Sequence, residues 1–234
     1  MSFPRRVEPE LLDQLAADDP RAIRARRDVE RANTLMLNAG IMASALMKYG
    51  AGQRPRTIVD LGSGDGNLML RVARRLAPRW PDVTIVLQDK QDIVSRATRD
   101  AFAALRWHVE TSATDVFDFL ANARPSGVDV ITSNLFLHHF ADEQLVRLLA
   151  SAAQLARLAV VCEPRRAKFV VRASRLLWAV GFSEVGVHEA VVSARAGFRG
   201  KELSALWPAR DQWELHEHAV GLFSHRFVAR RAAQ

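Results

Sequence analysis

The chain has 234 residues, of which 49% are hydrophobic and 25% are charged, and it holds a single cysteine. Those proportions belong to a globular protein and exclude an intrinsically disordered, collagen-like or coiled-coil chain. Because Cys162 has no partner cysteine, the composition excludes a disulfide-stapled secreted fold and favours a reducing cytoplasmic location. The net charge is +7 and the arginines are scattered, which favours a solvated surface over a nucleic-acid-binding face.

The length is near the upper end for one domain and predicts one compact domain with an appendage. The opening sequence, MSFPRRVEPELLDQL, lacks the apolar core of a signal peptide. No stretch approaches the roughly 18 consecutive apolar residues of a membrane span. We therefore expect a cytoplasmic protein without a membrane-spanning segment.

Apolar residues recur at steps of three or four between residues 10 and 48, which predicts two helices. The glycine- and proline-containing stretch 50–55 then interrupts the pattern. We place a domain boundary there. Residues 1–50 are predicted to form a helical lid, and residues 51–234 the core domain.

From Thr57 onward, short apolar runs alternate with longer amphipathic segments. The predicted strands are TIVDL, VTIVL, WHVET, VDVITSN and LAVVC. The predicted helices cover about residues 67–76, 92–105, 116–122 and 141–156. Alternation at this spacing predicts a doubly wound α/β fold, in which helices cover both faces of a mostly parallel sheet.

Beyond Pro164 the alternation stops. Three elements are expected before the chain returns to the sheet: a helix at about 166–180, an irregular stretch at 188–200 and a short helix at about 201–206. The segments 213–219 and 222–230 then predict two strands in an antiparallel hairpin at the edge of the sheet. Residues of about 165–210 are expected to form the wall of a substrate pocket.

Three glycines, Gly62, Gly64 and Gly66, follow the first strand at alternate positions, immediately before a predicted helix. Glycine allows a positive φ and close approach of a ligand, while the free N–H groups of a helix start attract a carboxylate or phosphate. A dinucleotide fingerprint, G-x-G-x-x-G, would need its third glycine at the position of Asn67. The spacing therefore predicts a ligand-binding loop but weighs against NAD.

A carboxylate, Asp89, closes the second predicted strand. In an open α/β sheet, ligands bind at the carboxyl ends of the strands, where such a carboxylate can accept both hydrogen bonds of a ribose diol. We therefore expect a nucleoside to lie between Asp89 and the glycine loop.

Four segments in this order resemble the class I, Rossmann-like S-adenosylmethionine-dependent methyltransferases of the small-molecule type. They are Asp60 with its G-x-G-x-G glycines, Asp89, the segment Ala113-Thr114-Asp115-Val116, and the segment Asp129–Phe140 that contains Leu-His-His. The resemblance covers residues 57–164 and implies a seven-stranded sheet. It also implies S-adenosylmethionine as the cofactor and S-adenosylhomocysteine as its product.

The resemblance further implies a set of cofactor-binding residues. In chain order they are Asp60, Gly62, Ser63, Gly64, Gly66, Asp89, Lys90, Asp115, Val116, Asn134 and Leu135. In this family the loop and its preceding aspartate hold the methionine part. Asp89 would then bind the ribose and Asp115 with Val116 the adenine, while Asn134 and Leu135 would line the path of the methyl group.

Methyl transfer from a sulfonium is an in-line displacement, so the protein must mainly align the acceptor with the methyl carbon and exclude water. A phenol with a pKa of about 10 also needs a base, for which a histidine with a pKa of about 6.5 is suited. His138 and His139 follow the fourth strand, and His188 lies in the expected pocket segment. We expect one of the three to be the base, and at most one of the adjacent pair to face the acceptor.

Two kinds of methyltransferase are disfavoured by missing motifs. There is no H-E-x-x-H, and no second carboxylate adjoins Asp129, so no metal site is expected. The family's signature for exocyclic amines, Asn/Asp/Ser-Pro-Pro-aromatic, is absent because Leu135 and Phe136 follow Asn134. This disfavours methylation of a nucleobase amine.

The segment 193–200 resembles part of uncharacterised bacterial small-molecule methyltransferases, some of which are associated with polyketide pathways. Aromatic residues in the predicted pocket segment suit a flat apolar molecule. We therefore predict O-methylation of a small aromatic or polyketide-like metabolite of secondary metabolism. Two alternatives stay open: an RNA methyltransferase, if the arginines of residues 5–31 and 165–199 form one face, and a non-catalytic S-adenosylmethionine-binding partner protein. The sequence does not distinguish a monomer from a homodimer.

Overall fold

A seven-stranded sheet organises the part of the chain that the structure describes. The structure is a computed structural model, and it describes residues 3–16, 18–50, 54–123 and 127–232. The strands are β1 (Thr57–Leu61), β2 (Val83–Asp89), β3 (Trp107–Ala113), β4 (Val130–Asn134), β5 (Leu158–Pro164), β6 (Trp213–Val220) and β7 (Ser224–Arg231). Their order is β3-β2-β1-β4-β5-β7-β6. Part of the expected linker, residues 51–53, lies outside the described residues.

Strands β1 to β5 run parallel to one another, while β7 pairs antiparallel with both β5 and β6. The predicted doubly wound sheet and its antiparallel C-terminal hairpin are confirmed. The strand order changes direction between β1 and β4, and open α/β sheets bind ligands at such switch points. The carboxyl ends of β1, β2, β4 and β5 meet at this edge.

Nine α-helices accompany the sheet within the described ranges. They are α1 (Pro20–Leu35), α2 (Asn38–Tyr49), α3 (Asn67–Leu76), α4 (Arg96–Ala104), α5 (Val116–Asn122), α6 (Asp142–Leu155), α7 (Lys168–Ser174), α8 (Glu184–Ala196) and α9 (Glu202–Leu206). The helix expected at 166–180 is divided into α7 and a 3-10 turn, Leu177–Val180. In these ranges no helix combines the length and the apolar character that crossing a membrane requires.

The first helix begins later than the apolar pattern suggests. Leu12–Gln14 form only a 3-10 turn, and α1 starts at Pro20. Asp19 caps α1, since its side chain accepts the backbone N–H of Arg21 at 2.8 Å. Proline is favourable in the first helical turn because its missing N–H would have no partner there.

The stretch expected to be irregular at 188–200 is largely helical, so that prediction was wrong. Ser183 caps α8 by accepting the N–H of Gly186 at 3.1 Å, and the buried Asp28 of α1 accepts both the N–H and the hydroxyl of Ser183. A Cβ at Gly186 would lie 2.5 Å from Asp28 Oδ2. Valine and glycine weaken the helical signal of this segment, and its stability comes from packing against α1.

The second N-terminal helix, α2, is part of the hydrophobic core. α2 packs against α3, β5 and β7, and Met42, Ala45 and Leu46 are fully buried there. Residues of α2, α3 and α4 form one core with one face of the sheet. Residues of α5, α6 and α9 form a second core with the opposite face. The expected boundary at residue 50 is therefore not a boundary of the core, because α2 belongs to it.

Replacing Leu46 with alanine tests the assignment of α2 to the core. The side chain is fully buried, whereas its neighbour Met47 is 36% exposed. We expect Leu46→Ala to lower the free energy of unfolding by about 2–5 kcal/mol, and the control Met47→Ala by less than about 1 kcal/mol. Urea denaturation measures both values, and equal small losses would show that α2 lies outside the cooperative core.

Candidate active site

The glycine loop joins β1 to α3 at the carboxyl edge of the sheet. Gly62 has a φ of 69°, and a Cβ there would lie 2.3 Å from the ring of Phe136. Gly66, which precedes α3, has a φ of 76°, and a Cβ there would lie 2.8 Å from the side chain of Leu87 in β2. Both positions therefore need glycine for conformation and for space. The N–H of Ser63 donates to the carbonyl of Gln88 at 2.9 Å and ties the loop to β2.

Asp89 faces this loop from the end of β2. Its Oδ2 accepts the N–H of Gly64 at 2.9 Å, and its Oδ1 accepts the N–H of Gln91 at 3.1 Å. These two bonds fix the orientation of the carboxylate, which lines the same cavity as Gly62, Ser63 and Gly64. A carboxylate oxygen accepts more than one hydrogen bond, so the group can still receive a diol.

Asp60, at the end of β1, is 3% exposed. Its Oδ1 accepts the hydroxyl of Thr132 at 2.6 Å. Burial raises the pKa of Asp60 to about 7, an effect that the hydrogen bond from Thr132 opposes and the negative charge of Asp89 reinforces. A nearby cation would favour the ionised carboxylate, so this position is suited to a positively charged ligand group.

A cavity of about 910 Å³ extends from the glycine loop past the ends of β4 and β5. Asp89 and the loop line one part of it, and Glu10, His138, His139 and Glu189 line another. Apolar residues of α1, α7 and α8, together with the residue that ends α1, also line the cavity: Val29, Leu35, Met36, Val170, Ala173 and Ala190. Small-molecule sites measure about 300–1,000 Å³, so the volume suits a nucleoside ligand together with a second molecule.

The expected cofactor-binding residues are only partly in the cavity wall. Of the two residues expected at the adenine, Val116 lines the cavity and Asp115 does not. Lys90 also lines the cavity, whereas Gly66 of the glycine loop does not. Asp115 caps α5 by accepting the N–H of Phe117 at 2.8 Å, and its Oδ2 lies 3.5 Å from Lys90 Nζ. Asp115 is therefore the N-cap of α5.

The end of β4 connects the sheet to α1. Asn134 and Leu135 both line the cavity, and Asn134 Nδ2 donates to Asn33 Oδ1 at 2.9 Å. Leu135 has a φ of 51°, a conformation that is unfavourable for a residue with a side chain. The chain therefore turns sharply here, and α1 is bonded directly to the turn.

His138 is 2% exposed and lies between two carboxylates. Its Nδ1 is 2.6 Å from Glu163 Oε2, and its Nε2 is 3.2 Å from Glu10 Oε1. Burial alone would lower the pKa of His138, but the charge of Glu163 and the contact with Glu10 outweigh it and raise the pKa to about 9. In this arrangement the ring carries a proton at neutral pH, which does not suit a general base.

His139 is the more accessible of the pair, with a side chain 23% exposed and Nε2 3.2 Å from Glu10 Oε1. Both histidines line the cavity. His188, by contrast, lies on the exposed face of α8 and does not line the cavity, although its neighbour Glu189 does. The structure therefore brings together two of the three expected histidines.

Three carboxylates that the sequence did not single out belong to this part of the site. Glu10 and Glu189 line the cavity, and the fully buried Glu163 contacts His138. Glu10 Oε1 also accepts the hydroxyl of Ser193 at 2.7 Å. Burial alone would raise the pKa of Glu10, but its hydrogen bonds with His138 and His139 hold that pKa well below its usual range. The contact with His138 spans 128 residues, so no local spacing predicts it.

Glu189 holds the N-terminal segment against α8. Its Oε1 accepts the N–H of Leu11 at 2.9 Å and that of Leu12 at 3.3 Å. Burial, and then the neighbouring carboxylate of Glu10, raise the pKa of Glu189 to about 8. No residue that the structure describes donates to the second oxygen, Oε2, which is buried.

Residues 58–158 match a family model described as a methyltransferase domain. Uncharacterised methyltransferases of Mycobacterium tuberculosis and Mycobacterium bovis are 35% identical to the chain over 127 residues, which is 53% of this chain and 59% of theirs. The chain thus spans about three fifths of the length of these curated relatives.

Solved methyltransferase structures share the fold. The plantazolicin methyltransferase BpumL in complex with S-adenosylhomocysteine aligns over 94% of both chains, with a TM-score of 0.63 and 13% identity. The mitomycin 7-O-methyltransferase MmcR aligns over 94% of this chain and 60% of its own, with a TM-score of 0.59 and 22% identity. An O-methyltransferase family protein from Burkholderia thailandensis covers 93% and 61%, with a TM-score of 0.59 and 19% identity.

Residues 58–158 thus resemble a methyltransferase domain, and the chain shares the fold of the solved methyltransferases. The family match spans the elements that hold the glycine loop and Asp89, and the sheet order extends the likeness beyond it. Identities this low establish the fold and do not carry an acceptor from one protein to another.

Buried polar atoms in the cavity wall fit S-adenosylmethionine. Ser63 Oγ, Gln88 Oε1 and Asn134 Oδ1 are buried without a hydrogen-bond partner among the described residues, and all three residues line the cavity. Leaving such a group unpaired costs about 1–3 kcal/mol. The ammonium, ribose hydroxyl and adenine amino groups of the cofactor are donors of the required kind.

Arginines of the two segments considered for RNA make contacts inside the domain. Arg5 donates to the carbonyls of Ala196 and Phe140, both at 2.8 Å. Arg31 donates to the carbonyl of Gly181 at 3.0 Å, and the buried Arg166 pairs with Glu202. These three guanidinium groups are thus bonded to other parts of the chain.

The raised pKa of Asp60 predicts a pH dependence of cofactor binding. Asp60 is mostly protonated below about pH 6 and mostly ionised above about pH 8, and the cofactor brings a cationic ammonium group. We expect the affinity for S-adenosylhomocysteine to rise roughly tenfold from about pH 6 to pH 8. Calorimetry on the wild type and on Asp60→Asn measures this, and the variant should lose most of the pH dependence. An unchanged pH profile in the variant would separate Asp60 from the ammonium group.

Proposed function

We propose that this protein transfers a methyl group from S-adenosylmethionine to an oxygen of a small aromatic or polyketide-like acceptor. The observation that carries the proposal is the single cavity that joins the glycine loop and Asp89 to the polar group around Glu10 and His139. S-Adenosylmethionine supplies an electrophilic methyl group on a positively charged sulfur. The apolar walls from α1, α7 and α8 suit a flat acceptor with one polar end.

In the cofactor half of the cavity, different residues are proposed to bind different parts of S-adenosylmethionine. Asp60 is placed for the ammonium group and Asp89 for the ribose hydroxyls, while Ser63 and Asn134 offer unpaired oxygens beside the loop. Val116 provides an apolar surface for the adenine ring, and Lys90, whose Nζ lies 3.5 Å from Asp115 Oδ2, also lines the cavity. These contacts fix the methyl carbon in position, and positioning is the main requirement of an in-line transfer.

The proposed acceptor half contains a polar group made by His139 and Glu10. His139 and Glu10 are positioned to promote loss of the acceptor's hydroxyl proton, because both line the cavity and contact each other at 3.2 Å. A phenol keeps its proton near neutral pH, so assistance of this kind raises the concentration of the reactive oxyanion. The O-methyltransferase names among the structural neighbours point to the same kind of acceptor atom.

The segment 3–16 and α1 are proposed to act as a lid over the bound molecules. Glu10 and Leu12 of the segment and Val29 and Leu35 of α1 line the cavity. Closure of such elements excludes water from the reacting groups and completes the site around the acceptor. α2 is not part of this lid, since it is buried in the core.

Replacing Asp89 with alanine tests the cofactor site. Loss of a charge-assisted contact of about 1.5–3 kcal/mol predicts an affinity for S-adenosylhomocysteine that is one to two orders of magnitude lower. Calorimetry measures it, with Asp100→Ala as the matched control, because Asp100 is an exposed carboxylate on α4. Equal affinities in the wild type and Asp89→Ala would remove Asp89 from the site.

Methyl transfer itself is tested with cofactor labelled in the methyl group and a cell extract as the source of acceptor. We expect the label to enter a small aromatic metabolite at an oxygen, and His139→Ala to lower the rate by about 10²–10⁴ without weakening S-adenosylhomocysteine binding. His108→Ala, an exposed histidine on β3, is the control. Label in RNA or protein would contradict the proposed acceptor, and an unchanged rate in His139→Ala would remove that residue from the chemistry.

A further inference from the structure

Three side chains at the acceptor end converge on one small space. Glu10 Oε1 is 3.2 Å from His138 Nε2 and 3.2 Å from His139 Nε2. These three atoms all lie within 4.8 Å of one another. Two imidazoles and a carboxylate are a ligand set that binds divalent transition metals.

The spacing fits a metal ion placed between the three atoms. Metal–ligand distances to imidazole nitrogen and carboxylate oxygen are about 2.0–2.2 Å, which puts neighbouring ligands of a tetrahedral site about 3.3–3.6 Å apart. Both distances from Glu10 to the histidines are 3.2 Å. An ion therefore needs only small side-chain adjustments, in which it replaces the protons that now join the three groups.

A second layer of contacts orients the ligands as a metal site requires. His138 Nδ1 lies 2.6 Å from Glu163 Oε2, so the ring presents Nε2 to Glu10. Glu163 is itself fixed by the N–H groups of Phe136 and Leu137 at 3.0 and 2.8 Å. A carboxylate bonded to the outer nitrogen of a histidine is the usual support of a histidine that binds zinc.

One further oxygen beside this group has no donor. Glu189 Oε2 is buried without a hydrogen-bond partner among the described residues, and Glu189 adjoins Glu10. Glu189, Glu10, His138 and His139 all line the cavity. The buried carboxyl group of Glu189 therefore lies next to Glu10 in the cavity wall that carries the three converging ligands.

We propose that Glu10, His138 and His139 bind one divalent transition-metal ion of the zinc type at the acceptor end of the cavity. The role of the ion rests on the proposed function. Its open coordination position faces the cavity, where it receives the acceptor's hydroxyl oxygen and lowers the pKa of that hydroxyl. The O–H bond breaks with loss of the proton to solvent, the oxygen then bonds to the methyl carbon, and the carbon–sulfur bond breaks to leave a neutral thioether.

The experiment uses the tag-free, chelator-treated protein without any acceptor. Co²⁺ is added and followed by visible absorption, and Zn²⁺ binding is measured by competition against it. We expect one ion per chain, with absorption bands of a site that contains nitrogen and oxygen ligands. Glu10→Gln and His139→Ala should each weaken binding by about 100-fold, and Glu163→Gln by about 10-fold to 100-fold because it only supports His138. His108→Ala, which removes an exposed histidine, should bind Co²⁺ as the wild type does.

Two outcomes overturn the proposal: no stoichiometric binding of Co²⁺ or Zn²⁺ by the wild type, or equal affinities in the wild type, Glu10→Gln and His139→Ala. Thermal melting and S-adenosylhomocysteine affinity, measured on the same samples, show which variants are folded. If Glu10→Gln is unfolded, His139→Ala and Glu163→Gln decide. Since no step uses an acceptor, a protein that binds metal but transfers no methyl group contradicts the proposed function and leaves the metal site standing.

Discussion

The acceptor half of the cavity depends on one buried carboxylate, that of Glu163. Moving a charge out of water costs several kcal/mol unless donors replace the lost hydration. Burial would raise the pKa of Glu163, but His138 and the N–H groups of Phe136 and Leu137 hold it below the usual range. The carboxylate belongs to β5 and its donors to the turn after β4, so one charge locks two strand ends together. His138 then holds Glu10, and through Glu10 the whole segment 3–16 is bonded to the sheet.

The cofactor half is built on shorter-range relations, and the sequence predicted it better. The glycine loop and Asp89 belong to one strand–helix–strand unit, so their order along the chain fixes their meeting at the sheet edge. The hydrogen bond from Gly64 to Asp89 shows that meeting. By contrast, Glu10 lies 128 residues from His138, and no periodicity or local motif relates the two. The expectation that no metal site exists rested on local motifs alone.

The contrast between local and long-range relations also explains which elements of the fold the sequence predicted. Strands β1, β4 and β5 were predicted because buried strands appear as short apolar runs between amphipathic helices. β2 and β3, which are only partly buried, were predicted from their alternation with helices. The helix α8 was missed because its sequence, with Gly186 and several valines, has weak intrinsic preference. Its start is fixed by the contact of Ser183 with Asp28 on α1, which is a tertiary interaction. The late start of the first helix was missed as well, because only Asp19 and Pro20 mark the true start of α1.

The walls of the cavity come from two sources with different freedom to change. The proposed cofactor half of the cavity is lined by the ends of strands and by glycines that have no room for a side chain, such as Gly62. The proposed acceptor half is lined by residues of helices outside the sheet, such as Leu35, Ala173 and Ala190. Exchanging a side chain on those helices alters the shape of the chamber and leaves the nucleoside's pocket intact. The architecture thus lets an evolving or engineered lineage broaden its repertoire of acceptors while keeping a single methyl donor.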